Sequence, residues 1–385
     1  MTTKTGTKTM TTISMTGPLA EAKRLIVKIG SSLLVDEASG LVRRTWLESV
    51  CADLAACRKR GQEVIVVSSG AVAVGRRRLG LTPPLKLEEK QAAAATGQIR
   101  LAHDYQEALA RHGLTVAQVL LTLDDSDNRR RYLNARATLE TLLRLGAVPV
   151  INENDTVATA EIRFGDNDRL AARVAQMVSA DALVLFSDID GLYTADPRKD
   201  PDAAFIPEVH DLTPEIEAMA GDPGSAYGSG GMVTKLAAAK ICLSAGCRMA
   251  IARGQAMNPL AEIEAGGRCT WFLPSAEPRT ARKQWIYGSM SPTGAVILDD
   301  GAVRALRHGR SLLPAGVVAV EGSFERGDCV LVQSRDGHTL GRGLSAYGAE
   351  DARRIAGRQS AEIEEILGFH GRDELIHRDD LVVEG

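Results

Sequence analysis

The sequence predicts an α/β protein: a mostly parallel sheet sandwiched by helices, followed by a small, β-barrel-like C-terminal domain. Three observations predict it. Short apolar strands recur as continuous rather than alternating runs. Amphipathic helical segments separate them. Near residue 275 that rhythm gives way to short β segments divided by glycine turns.

The elements follow in order. The stretch MTTKTGTKTMTTISMTGP is Thr-rich, with no apolar core of a secretory signal, and predicts a flexible tail over residues 1–20. Arg24–Ile29 reads as a strand and meets Gly30-Ser31-Ser32. Leu47–Arg60 reads as a helix stopped by Gly61. Glu63–Val67 runs into Ser68-Ser69-Gly70. Leu133–Leu145 is helical up to Gly146, and Val148–Asn152 leads into Glu153-Asn154-Asp155. A helix over Leu170–Val178 precedes the strand Ala182–Phe186, which ends at Ser187-Asp188. Leu236–Ala245 is helical and Met249–Ala252 is a strand. In such sheets ligands bind beyond the carboxyl ends of the strands, where these polar and glycine-rich residues fall. The first domain is placed at 21–276 and a polar linker at 277–283. The second domain, 284–385, has strands at Trp285–Gly288, Ala295–Leu298, Val317–Val320, Cys329–Val332 and Thr339–Gly343. No long helix is expected between them, and Ser360–Leu367 closes the chain as a short helix.

Composition narrows the function. The 385 residues are 44% hydrophobic and 25% charged, an ordinary globular balance. Forty-six Lys and Arg against 49 Asp and Glu leave a net charge of −3, which argues against bulk electrostatic binding of nucleic acid or anionic lipid. Aromatic residues are only 4%, too few for a stacking platform. The six cysteines form no C-x-x-C pair and the histidines no H-E-x-x-H, so no metal-ligating residue is assigned. Scattered, reduced cysteines suit a cytoplasmic protein. No apolar run reaches the ~18 residues that span a bilayer, so no membrane association is expected.

Lys28 lies inside an apolar strand, where an ammonium is costly to bury without an anion. It either snorkels from the strand end or binds phosphate beside the N–H groups of Gly30-Ser31-Ser32. Ser229-Gly230-Gly231-Met232-Val233-Thr234-Lys235 precedes a helix, and glycines at a helix N-terminus favour an anion. Lys235 would oppose the helix dipole unless a phosphate lay between them; the alternative is a flexible loop with a solvated lysine. In Gly165-Asp166-Asn167-Asp168, helix capping explains one or two residues but not the whole set. Asn152-Glu153-Asn154-Asp155 is either a plain loop or holds a substrate ammonium. Ser68-Ser69-Gly70 is a turn suited to donating hydrogen bonds to a carboxylate. Arg129-Arg130-Arg131 reads as a solvated loop, and His103 and His112 as surface or cap residues. Gly341–Ala346 fits G-x-G-x-x-A but opens no helix, so it reads as a tight turn.

Together VKIGSS (Val27–Ser32), VVSSGAVAVG (Val66–Gly75), LLTLDD (Leu120–Asp125), LNARATL (Leu133–Leu139), PVINENDTVATAEIRFGDND (Pro149–Asp168), SDIDGLYTADPR (Ser187–Arg198) and GSGGMVTK (Gly228–Lys235) resemble the amino-acid kinase superfamily. The closest likeness is to its glutamate-phosphorylating branch. RKQWIYG (Arg282–Gly288), GRGLSAY (Gly341–Tyr347) and HRDDLV (His377–Val382) resemble a PUA domain, a module also found in RNA-modifying proteins. The resemblance implies the amino-acid kinase fold and transfer of the ATP γ-phosphoryl to the side-chain carboxylate of L-glutamate, opening proline biosynthesis. Lys28 and Lys235 would stabilise the transferring phosphoryl and Asp168 would orient them. Ser69, Asp155 and Asn167 would bind glutamate. Lys28, Ser187, Asp188 and the run Ser229, Gly230, Gly231, Met232, Val233, Thr234, Lys235 would contact ATP, with Mg2+ bridging its phosphates. The family typically has Thr-Asp at Ser187-Asp188 and Gly-Thr-Ser at Gly30-Ser31-Ser32; both swaps keep a hydroxyl. Proline as feedback inhibitor, a homo-oligomer and a glutamyl-phosphate reductase as partner are inherited expectations. The alternatives are another carboxylate or carbamate kinase of the superfamily, or RNA binding through the PUA-like domain.

Overall fold

A computed structural model of the protein describes residues 18–157, 167–220, 231–278, 280, 281, 283, 291–369 and 371–383. The strands of the first sheet are β1 (Arg24–Ile29), β2 (Glu63–Ser68), β3 (Val116–Leu121), β4 (Val148–Glu153), β5 (Ala182–Ser187), β8 (Glu208–Val209), β9 (Arg248–Arg253) and β10 (Cys269–Phe272). A two-residue pair, β6 (Leu192–Tyr193) and β7 (Phe205–Ile206), lies apart. The order across the sheet is β3-β4-β2-β1-β5-β9-β10-β8, parallel throughout except for β9 against β10. β4 and β5 are buried at every residue and β1 at all but the first, the reason their sequences are mostly apolar.

Alternation along β1 sorts its side chains between two cores. Leu25, Val27 and Ile29 face Leu47, Leu54, Leu101 and Tyr105 of the helices Arg44–Lys59 and Leu87–Ala110. Ile26 faces Leu170 and Val174 of the helix Asn167–Val178 and Leu236 of the helix Met232–Ser244. Lys28 has the parity of Ile26, so the pleat alone sends its ammonium toward those last two helices.

The helices begin earlier than apolar periodicity predicts: at Arg44, Arg129, Asn167 and Met232. The first turns at Arg129 and Asn167 carry polar residues that leave no apolar signal. The triple arginine Arg129–Arg131 is therefore the first turn of the helix Arg129–Arg144, not a loop, and Arg129 pairs with Asp328 at 2.9 Å. The predicted tail also ends sooner than residue 20. Leu19 is buried, and Gln62 Nε2 donates to the carbonyls of Leu19 (2.8 Å) and Ala22 (2.6 Å). All six cysteines are buried free thiols.

The C-terminal sheet runs β12-β11-β13-β14-β15 and is rich in antiparallel pairs: β11 (Gly294–Leu298), β12 (Val317–Gly322), β13 (Cys329–Ser334), β14 (Thr339–Leu344) and β15 (Leu381–Val383). Two short helices, Asp300–Arg307 and Ala349–Ile355, sit between these strands. The strand expected at Trp285–Gly288 lies outside the described residues. Among the described residues no helix is long and apolar enough to cross a membrane.

The turn Ser68-Ser69-Gly70 is held by close helix packing. Gly70 adopts φ 110°, a conformation open to glycine, and caps the helix Ala71–Arg78. That helix crosses Leu87–Ala110 at Gly75 and Gly97, where an added Cβ would lie 1.8 Å from Ala93 O and 1.9 Å from Ala71 O respectively. Gly97→Ala should therefore destabilise the chain by about 1–3 kcal/mol through overpacking, read as a lower urea midpoint. An unmoved midpoint would mean that the helices do not meet there.

Candidate active site

The site is built at the carboxyl ends of β1, β2, β4 and β5. Lys28, next to last in β1, reaches the helix Asn167–Val178 and places Nζ 2.5 Å from Asp168 Oδ1. Lys235, in the first turns of the helix Met232–Ser244, places Nζ 3.5 Å from Asp168 Oδ2. Thr234 Oγ1 donates to the same oxygen at 2.9 Å. Asp168 is 0% exposed and both lysines 6%. Residues 207 positions apart in the chain, Lys28 and Lys235, thus share one buried carboxylate.

Burial alone would raise the Asp168 carboxyl, but Lys28 and Lys235 outweigh it and hold it below its ordinary 3.8. Burial and the charge of Lys28 lower Lys235, against the pull of Asp168 and Asp188. Two ammoniums thus converge on one fully buried carboxylate, an arrangement suited to meeting a bound polyanion. A Cβ on Gly30 would sit 3.8 Å from Lys28 Nζ, so the ammonium lies over the Gly30-Ser31-Ser32 turn. Ser187 and Asp188 follow β5, and the Ser187 hydroxyl donates to Asp188 Oδ1 at 3.0 Å. The helix Met232–Ser244 is capped by Gly231 with no side-chain hydrogen bond. Ser229 and Gly230 lie outside the described residues, as do Gly165 and Asp166.

Beside this pocket runs a chain of buried amides. Asn167 Nδ2 donates to Ser69 Oγ (2.7 Å) and Asn152 Oδ1 (3.3 Å); Asn152 Nδ2 donates to Gln98 Oε1 at 2.7 Å. The Tyr105 hydroxyl donates to Ser68 Oγ at 2.9 Å. With Nδ2 committed to Ser69, Asn167 Oδ1 is buried without a hydrogen-bond partner among the described residues, an acceptor that suits a donor on a ligand. Asp155, just past β4, is half-buried without a salt-bridge partner among the described residues, and burial pushes its carboxyl up to about 6.

Sequence reasoning placed Asn167 and Asp168 before the helix; they form its first turn, because Asn and Asp there supply polarity rather than periodicity. It missed Gln98 and Tyr105. Their signal was present: with Leu101 they share the face of Leu87–Ala110 turned to the sheet, where a glutamine is out of place.

The amino acid kinase family model matches residues 23–253 and a PUA domain model residues 294–367. The chain belongs to the amino acid kinase family. It is 82% identical over 368 residues to a protein of Paramagnetospirillum magneticum named glutamate 5-kinase, covering 96% of this chain and 100% of that one. Proteins of the same name from Rhodospirillum rubrum and Agrobacterium fabrum are 62% and 58% identical, covering 93% and 96% of this chain and 96% and 95% of theirs.

Asp168→Ala removes the shared counter-charge and strands two buried ammoniums. The loss should be about 3–5 kcal/mol at pH 7, measured by denaturant unfolding. Because the folded carboxyl sits below 3.8, its stabilisation is present above that value and is lost as pH falls through the lower folded one, so wild type and variant should converge in acid.

Proposed function

We propose that the chain transfers the γ-phosphoryl of ATP to the side-chain carboxylate of L-glutamate, forming L-glutamyl 5-phosphate at the head of proline synthesis. The observation that carries this is the buried cluster of Lys28 and Lys235 on Asp168 beside the buried acceptor Asn167 Oδ1. The names of the relatives support the choice of substrate.

The acceptor carboxylate is ionised at pH 7 and needs no strong base, so catalysis is positioning and charge neutralisation. Lys28 and Lys235 neutralise the equatorial oxygens of the transferring phosphoryl. Asp168 keeps both ammoniums charged and aimed. The N–H groups at Gly231–Val233 and the turn after β1 hold the phosphate tail, with Ser187 and Asp188 at its edge. Ser69 donates to a substrate carboxylate, while Asp155 and Asn167 Oδ1 accept from its ammonium. Magnesium enters with ATP as its phosphate-bound counterion. Asp168 is committed to two lysines, and the described residues hold no cluster of three acidic, His or Cys side chains, so an ion would be held by the nucleotide rather than by a protein cage.

Hydroxylamine trapping of acyl phosphate over a panel of acids tests the reading: glutamate should be consumed and N-acetylglutamate, which lacks the ammonium, should not. Turnover of N-acetylglutamate alone would overturn it. Lys28→Ala and Lys235→Ala should each lower kcat by about two orders of magnitude or more, with the assay read at saturating ATP and glutamate. Near-normal turnover in either would remove that lysine from the mechanism. Asp155 must be ionised to hold an ammonium, and in the free protein it protonates near 6. The glutamate KM should rise as pH falls through about 6, and Asp155→Asn should raise KM at neutral pH and flatten that dependence.

A further inference from the structure

The C-terminal domain docks on the helix Arg129–Arg144. Arg136, 3% exposed, pairs with Asp380 of that domain at 2.5 Å and with Glu140 at 2.7 Å. Around this seam lies a cleft of about 1970 Å³ with walls from both domains. Among the arginines that line it, three come from three separate segments: Arg130 from the helix, Arg326 from the turn before β13, and Arg372 from the stretch before β15.

These arginines are poorly compensated. Among the described residues no carboxylate pairs with Arg130 or Arg326, and Arg372 has only Glu140, at 3.8 Å. Among the described residues Arg326 Nε is buried without any hydrogen-bond partner. Of the acids that line the cleft, Asp351, Asp373 and Glu374 act on Tyr347. Burial, then the charges of Arg372 and Arg130, push Arg326 down, with Tyr347 pulling the other way. A guanidinium cannot shed its proton to relieve this. A monoanionic carboxylate would answer one charge; a dianion with several acceptor oxygens answers the cluster and fills the vacant Nε, because guanidinium forks match phosphate oxygens in pairs.

We propose that Arg130, Arg326 and Arg372 form a binding site for a dianionic phosphate group, in the cleft between the domains and separate from the kinase pocket. The ligand is either free phosphate or the phosphate of a small monoester.

Calorimetry on the full chain, in chloride buffer, tests it with two probes, inorganic phosphate and glycerol 3-phosphate. Binding at one class of site should weaken at least about tenfold in Arg326→Gln and Arg372→Gln, and should persist in Lys28→Ala, which disables phosphate capture in the kinase pocket. Arg130→Gln, an exposed change without packing consequences, should weaken it too, which guards against misfolding of the other two variants. Tighter binding of the ester identifies a phosphorylated small molecule; tighter binding of phosphate identifies the free ion. The proposal falls if neither probe binds below about 10 mM, if Lys28→Ala alone abolishes binding, if all three arginine variants bind as wild type does, or if only a single-stranded oligoribonucleotide binds.

Discussion

The structure turns on one carboxylate with no access to water. Asp168 binds Lys28 from the central strand and Lys235 from a helix more than 200 residues later, and neither lysine could be buried without it. An apolar substitute of similar volume would be easier to fold. The arrangement makes sense as a pair of ammoniums held ready on one carboxylate at the carboxyl ends of the strands. Preorganised charge of this kind needs no rearrangement as negative charge builds on a transferring phosphoryl.

The rest of the domain serves that placement. The alternation of β1 puts Lys28 on the face of the two helices that supply Asp168 and Lys235. The glycine contact between the helices Ala71–Arg78 and Leu87–Ala110 fixes the Ser68-Ser69-Gly70 turn, and Gln98 on the second helix accepts from Asn152. Asn152 in turn receives Asn167 Nδ2, and among the described residues the opposite amide oxygen has no hydrogen-bond partner. On the proposed reading, one helix turn carries both the residue for the amino-acid side and the carboxylate for the phosphate side, the juxtaposition that in-line transfer between two bound substrates requires.

The C-terminal domain contacts the helix Arg129–Arg144 through buried Arg136 and half-exposed Arg129. That helix packs against Asn167–Val178, which carries the site. The fold therefore has a continuous path of packed elements from the interdomain cleft to Asp168.

Much of this was legible in the residues. Continuous apolar runs determined a sheet covered on both faces, and the polar clusters between them marked the strand ends. Lys28, Asp168 and Lys235 stood out because charges in apolar or helix-initiating settings demand a counterpart. Only the tertiary structure decided that they are one another's counterparts, since distance along a chain carries no information about which strand ends converge. Arg129 and Arg136, which meet Asp328 and Asp380 of the C-terminal domain, were hidden for a related reason. A polar residue on a helix looks the same in sequence whether it faces solvent or the next domain, and only packing tells the two apart.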